Sequence, residues 1–361
     1  MAFTGIFPAM DISPSALGLF AVADTSANAD EKNEDKWTRG FSQEYNSRPS
    51  YVRLWDDTSA VSYVVADNNT AALFIEITPI FIEVEDFHST FGLVGDDRFK
   101  RATTQLEAVS QKALEAEFCD GKIARSSGLA NTYLAKSTAS VVNSGTAYSS
   151  QRAIAILENS ISQMSAAGES GVVHMTRDIM SLLSSTGQLF ANSTDSHLAT
   201  TSGAAVVVGS GYTGNGPHIA ISTIAVTSNV ATIVTATSHY LVAGESFAMT
   251  TTAGGTAFDG TFTVATVTNA TTFTASITKT NQGATATPGN VQMLGSDSTK
   301  WMYATGTVAA HLGESIVVNE TLAQGYGVTA NNNTMRIKAT RAAVAYFDPS
   351  IHLAIKVNLT A

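Results

Sequence analysis

Between Arg177 and Lys279 the chain contains neither lysine nor arginine. Inside that span, "HYLVAGESFAMTTTAGGTAFDGTFTVATVTNATTFTASI" (His239 to Ile277) holds only two charged residues, Glu245 and Asp259. Threonine and valine alternate there, and glycine marks the turns. β-Branched side chains lose rotamer freedom in a helix and pack well on a pleated surface. The block is therefore a small β module, with threonines on its exposed faces and Phe258, Phe262, Val264 and Phe273 filling its core. Composition changes abruptly at about His218 and Leu294, which makes residues 218–294 an all-β insert whose two ends are expected to lie close together. Gly214, Gly216 and Pro217 read as a flexible exit, and Gly295 to Ser298 as the return.

The remainder is α+β. At about 150 residues per domain, 361 residues make two or three domains. Charged residues are 14%, well under the roughly 25% of ordinary soluble domains. Such a surface is either covered by partners or built from Ser and Thr. The net charge of −10 argues against a protein that grips nucleic acid, because phosphate contact needs Lys and Arg. It is compatible with the wall of a DNA container. The one cysteine, Cys119, supplies neither an intrachain disulfide nor a cysteine metal site. "MAFTGIFPAMDISPSALGLFAVAD" is apolar but has no basic start and is interrupted by Pro8, Asp11 and Pro14, so no signal peptide is expected. No apolar run of about 18 residues is present to span a membrane.

Residues 1–45 read as an arm: "ANADEKNEDKWTRGFSQEYNSRPS" is too polar to fold alone and should be ordered by a neighbour. A hairpin-like excursion follows around Asp56-Asp57 and Asn68-Asn69. In "TAALFIEITPIFIEVEDF", apolar alternation shifts phase at Pro79, which belongs at an edge or bulge. A long helix then starts at Asp96 or Asp97, with Phe99, Ala102, Leu106, Val109, Ala113 and Phe118 on one stripe and Gly121 at its end. A second helix covers about Ser150 to Ala167, with Ile154, Leu157, Ile161 and Met164 on one face. "GVVHM" is a buried strand and "TRDIMSLLSSTG" a short helix. The chain closes on a pair of strands, Met335, Ile337 and Ala339, then Leu353, Ile355, Val357 and Leu359, turned by Asp348-Pro349-Ser350.

No catalytic, cofactor-binding or metal site emerges, and the chain does not read as an enzyme. Gly209, Gly211 and Gly214 match G-x-G-x-x-G, but Asn215-Gly216-Pro217 follows instead of a helix, and no acid stands about 20 residues on. A turn where two backbones pass closely fits better. His88, His174, His197, His218, His239, His311 and His352 lack metal-ligand spacing and read as structural or exposed. The carboxylates Glu83, Glu85 and Asp86 are open to an acid/base pair or a cation site, with a solvated edge or inter-subunit contact favoured. Cys119, near a helix C-terminus where a thiolate is disfavoured, reads as packing. No G-x-S-x-G elbow occurs.

An arm, a β excursion, a long helix, a mixed middle and closing strands resemble the major capsid protein of tailed bacteriophages, of the Hong Kong 97-like fold. "HMTRDIMSLLSSTGQL", "SGAAVVVGSGYTGNGP" and "KWMYATGTVAAHLG" look like axial-domain segments of such proteins. The resemblance implies an N-terminal arm over residues 1–45, an extended loop over 46–70 and a peripheral domain with a spine helix over 71–150. It implies an axial domain over 151–217 and 295–330, interrupted by the insert, and closing peripheral strands over 331–361. It further implies self-assembly into hexamers and pentamers of an icosahedral head, with portal, scaffolding and cementing partners and packaged double-stranded DNA held without sequence specificity. The protein would be made in the host cytoplasm and reside in the virion. The family's covalent cross-link needs a lysine in the extended loop, and Val52 to Phe99 contains none, so closure would be noncovalent. The insert itself resembles a β module recurrent in phage virion proteins, through His239, Leu241 and Gly244, Phe258 to Val264, and Ala270 to Thr274; it would decorate the outside of the shell. Two other readings are a phage tail or adhesion protein whose β module binds a host glycan, and an encapsulin-like compartment shell, which shares the fold and should lack the insert.

Overall fold

The structure is a computed structural model and describes residues 15–25, 37, 41–44, 50–53, 62–66, 74–89, 95–164, 171–191, 197–251, 258–286, 289–319 and 334–360. Along the chain come β1 (Phe41–Glu44), β2 (Ser50–Arg53), β3 (Ser62–Ala66), β4 (Phe74–Ile77) and β5 (Ile80–Ser89). Helices α1 (Gly95–Asp120) and α2 (Lys122–Ser127) follow, then the short β6 (Ser140–Val141) and β7 (Tyr148–Ser149), and α3 (Ser150–Met164). Next are β8 (Val172–Met175), α4 (Arg177–Ser185), β9 (Leu189–Ala191), β10 (Leu198–Thr200) and β11 (Ala205–Val208). The threonine-rich block supplies β12 (His218–Thr227), β13 (Val230–Thr235), β14 (Ser246–Thr251), β15 (Gly260–Asn269), β16 (Thr272–Ser276), β17 (Gln282–Ala286) and β18 (Gly289–Met293). The chain ends with β19 (Thr299–Thr305), β20 (Val308–Asn319), β21 (Thr334–Phe347) and β22 (His352–Asn358). The protein is thus mixed α+β.

A central mixed sheet runs β6-β22-β19-β8-β11-β10-β9, with β7 also on β22. Period two sorts its residues between two layers. Val173, Met175, Val206, Val208, Met302, Ala304, Leu353, Ile355 and Val357 pack against Ile154, Leu157 and Ile161 of α3 and Ile179 and Leu183 of α4. The alternate residues Val172, Val207, Trp301, Tyr303 and Ala354 belong to the cluster that includes α1. Both faces are covered, which is why these strands read as continuous apolar runs. The closing strands do not pair with each other: β22 joins the central sheet, between β6 and β19, while β21 lies between β20 and β5 in a separate sheet. The turn at Asp348-Pro349-Ser350 hands the chain from one layer to the other.

The three-stranded sheet β20-β21-β5 lays one face on α1. That helix spans 26 residues, and Gly121 (φ 63°) ends it as expected. Its buried stripe is Ala102, Leu106, Ser110, Leu114, Glu115 and Phe118; Val109, expected inside, is exposed. The stripe drifts because true spacing follows 3.6 residues per turn, which selects Leu114 over Ala113. Pro79 sits between β4 and the edge strand β5, and the Asn131 amide bonds both the N–H (2.8 Å) and the C=O (2.7 Å) of Thr78 beside it.

Part of the expected arm packs on its own chain. Leu19 is fully buried, Leu17 C=O accepts from Val208 N–H (2.8 Å), and Asp24 N–H donates to Val308 C=O (2.8 Å). Trp37 meets Phe41 edge-on, and both pack on Ile77, Val344 and Tyr346. The apolar "ALGLF" gives this stretch a core anchor, so for these residues ordering by a neighbour is not required. By contrast, β2 and β3 pair with each other and, among the described residues, with no other strand. The turn residues Asp56-Asp57 and Asn68-Asn69 lie outside the described residues.

The threonine-rich strands close on themselves. β12 pairs with β18 near its start and with β13 farther on, completing the ring β12-β13-β16-β15-β14-β18, while β17 adds to β12 outside it. Closure leaves those ring strands without a free edge. Phe258, Val264 and Phe273 are buried as expected and Phe262 half-buried; Phe247, which the alternation did not single out, is fully buried, 5.1 Å from Phe273 and edge-on to it. Entry and exit lie side by side: Gly216 N–H donates to Met293 C=O (2.9 Å), and Gly295 N–H to Asn215 Oδ1 (2.9 Å). The glycines here serve close packing rather than flexibility. A Cβ on Gly216 would stand 2.8 Å from Met293 Cε and from Trp301 Cε2.

Candidate assembly surface

The G-x-G-x-x-G segment is a close backbone crossing. A Cβ on Gly211 would lie 2.4 Å from Ala116 N and 2.7 Å from Lys112 O, so the turn touches α1 directly. The carboxylate of Glu115, a residue with 0% exposure, organises the crossing. It accepts from Ser210 N–H (2.5 Å), Gly211 N–H (3.3 Å), Leu19 N–H (2.8 Å) and Gln111 Nε2 (2.8 Å). One side chain therefore joins the N-terminal segment, α1 and the turn after β11. Spacing alone gave no sign of it, because its partners lie far away in sequence.

The histidines are mostly structural. His174 is buried, with Nε2 2.9 Å from Thr305 Oγ1 and Nδ1 3.0 Å from Tyr212 Oη. Thr305 Oγ1 donates to Gly306 C=O (3.0 Å), so it accepts from His174 Nε2–H, and Tyr212 donates to Nδ1. Burial and the nearby His352 push the His174 pKa down to about 3, and burial raises Tyr212 well above its usual value. His352 donates from Nε2 to Leu134 C=O (2.8 Å), and burial holds it at about 4. His239 lies between Leu241 N–H (3.0 Å) and Asn269 C=O (3.0 Å), fixing the segment between β13 and β14. His311 stacks on Phe41, His197 is half-buried before β10, and His88 stands opposite Met335 in the β5–β21 register.

His218 and Cys119 both adjoin Asp120, the last residue of α1. Asp120 Oδ1 accepts from His218 Nε2 and from Gln292 Nε2, each at 2.9 Å, and Oδ2 accepts from Arg125 Nη2 (2.9 Å). Despite burial, the bond and charge of His218, with Arg125 and Gln292, keep the Asp120 carboxyl below the usual carboxylate range. Cys119 is fully buried and its thiol is pushed up to about 12, chiefly by burial. A protonated thiol without access is no nucleophile. Among the described residues no group of His, Cys, Asp and Glu is arranged to hold a metal ion, and no helix is long and apolar enough to cross a membrane.

Glu83 and Glu85 lie on the outer face of the three-stranded sheet, away from α1, where Glu83 pairs with Lys338 at 2.5 Å. Asp86 stands opposite Ile337 in the register. On this face Phe81 (69% exposed) stands opposite Ala342, and Ile316 (61% exposed) opposite Thr340. Trp37, Phe41 and Ile77 cover the other end of the same sheet, around Val344. One half is thus packed, while the other presents two large apolar side chains flanking an ion pair.

No family model matches the chain, and no curated protein matches it. Among solved structures it is similar to the capsid of an empty GTA particle, with a TM-score of 0.44 and 9% identity over 99% of this chain and 95% of that one. It is also similar to the holo-SrpI encapsulin complex of Synechococcus elongatus, with a TM-score of 0.33 and 7% identity over 88% of this chain and 84% of that one. Likewise it is similar to the capsid of Staphylococcus phage Andhra, with a TM-score of 0.33 and 9% identity over 99% and 89%.

Proposed function

We propose that the chain is the major capsid protein of a tailed bacteriophage. Its copies would assemble in the host cytoplasm, as hexamers and pentamers, into the icosahedral head that holds double-stranded DNA. Hairpin β2–β3 carries this reading. It pairs with no other strand among the described residues, and a lone two-stranded hairpin is marginal in water. A surface on another copy would supply its support, and the half-open outer sheet face with Phe81 and Ile316 is apolar enough to take part. Repeated heterologous contacts of this kind close into a shell when the rotation between copies closes. The sequence resemblance points the same way: α1 would be the spine helix, and the barrel formed by the closed ring of threonine-rich strands would be an outward decoration. With a net charge of −10, DNA would be held by containment rather than by grip.

Light scattering and negative-stain microscopy of the purified chain test this. Capsomers or shells are expected; a monodisperse monomer at every concentration would overturn it. Because Val52 to Phe99 lacks lysine, mature particles should run in a denaturing gel as one band near 37.7 kDa. Ladders that survive boiling would show a covalent bond elsewhere.

A further inference from the structure

A barrel joined to the body by two adjacent connecting segments, residues 214–217 and 294–298, would ordinarily be free to pivot about that pair. Here two separate points oppose a pivot. The first is Asp120 at the end of α1. Its Oδ1 takes one donor from the first residue of the first barrel strand, His218, and one from the last barrel strand, Gln292. These two residues stand opposite each other in the β12–β18 register, so one oxygen holds both strands at the neck. Arg125 holds the other oxygen, and His218 N–H also donates to Ala135 C=O (2.8 Å). The second point is Glu245, in the segment before β14, which is ion-paired with Lys356 of β22 in the central sheet. Lys356 is only 4% exposed, so its ammonium has lost most of its water and depends on this partner. Tyr240 adds contact there: a Cβ on Gly145 would stand 2.7 Å from Tyr240 Cβ.

We propose that Asp120 is a lock that fixes the orientation of the barrel to α1, with Glu245–Lys356 as the second point. Two anchors on different elements remove the rotation that either alone would leave. The barrel is then a rigid part of the body rather than a tethered appendage. The lock is a property of one chain and stands or falls separately from shell assembly. If copies do assemble, each presents the same barrel face.

The test uses the full chain with spin labels at Val230→Cys on the barrel and Arg101→Cys on α1; the native Cys119 is buried and out of reach of the label. A single narrow distance distribution is expected. Asp120→Ala combined with Glu245→Gln should broaden it severalfold. Hydrogen exchange at residues 213–217 and 293–298 should speed up about tenfold or more, as loss of buried charged hydrogen bonds implies, while residues 231–235 and 273–275 in the barrel core stay protected. If that variant does not fold, Glu245→Gln alone decides, since it removes the second anchor and leaves the Asp120 carboxylate paired with His218, Gln292 and Arg125; it should broaden the distribution to a smaller extent. A broad distribution in the unaltered chain, or one that neither variant changes, overturns the lock.

Discussion

Glu115 shows how much one side chain can organise. Its carboxylate accepts four N–H donors in a site sealed from water. Glu115→Gln keeps the shape but turns an NH2 group toward N–H donors, leaving some of them unpaired. Each buried unpaired group costs about 1–3 kcal/mol, so a loss of roughly 3 kcal/mol is expected from the urea midpoint; a loss under about 0.5 kcal/mol would mean the four bonds carry little. Protons act on the neighbouring groups in one direction. His174 and His352 titrate at about 3 and about 4 when folded, against 6.5 as the ordinary value. Between pH 6.5 and those values the unfolded chain binds protons that the native chain refuses. Stability therefore falls with acid by about 1.4 kcal/mol per pH unit for each histidine. Asp120, with a depressed folded pKa, adds a loss of the same sign below about pH 4. Denaturation midpoints should drop steeply from pH 6.5 to 4, and His352→Gln should flatten that slope. An unchanged slope would mean His352 is not buried neutral.

At the scale of elements, what the sequence made legible was local. The apolar stripes of α1, α3 and α4, the strand at Val172–Met175 and the β block all follow from periods of 3.6 or 2 over a few turns. What stayed hidden was pairing at long range. Leu353, Ile355 and Val357 mark a strand, but nothing nearby says that it joins β19 rather than β21. Glu245 is one of only two charges in the threonine-rich block, and its partner Lys356 lies 111 residues away. The same bonds govern what happens when the barrel is removed. Bridging Pro217 to Gly295 with a short Gly-Ser linker costs little in closure, because the ends already touch. The deletion does strand Lys356 in the central sheet without its carboxylate, and breaking a buried pair costs about 3–5 kcal/mol. The deletion also takes His218 and Gln292 away from Asp120 Oδ1, so it should lose several kcal/mol in urea unfolding, and Lys356→Met in the same background should recover the part that belongs to the broken ion pair. If Lys356→Met changes nothing there, the loss has another origin.

For the whole molecule, the described surface is unevenly finished. The ring of barrel strands has no free edge, and both faces of the central sheet are covered. The outer face of the three-stranded sheet is packed at the Val344 end and open at the Phe81 end. Phe81 and Ile316 make few contacts within the chain, so changing them should barely alter its stability; exposed substitutions usually stay within about 0.5 kcal/mol. A charge at either site would have to be desolvated if the face is covered by another copy. Phe81→Glu with Ile316→Lys should accordingly leave the unfolding midpoint of the isolated chain near its original value while raising the concentration needed for assembly about tenfold or more. Light scattering across a dilution series, beside thermal unfolding of the same samples, separates the two effects. Assembly unchanged by the double variant would take this face out of the contacts between copies and leave hairpin β2–β3 to find its support elsewhere.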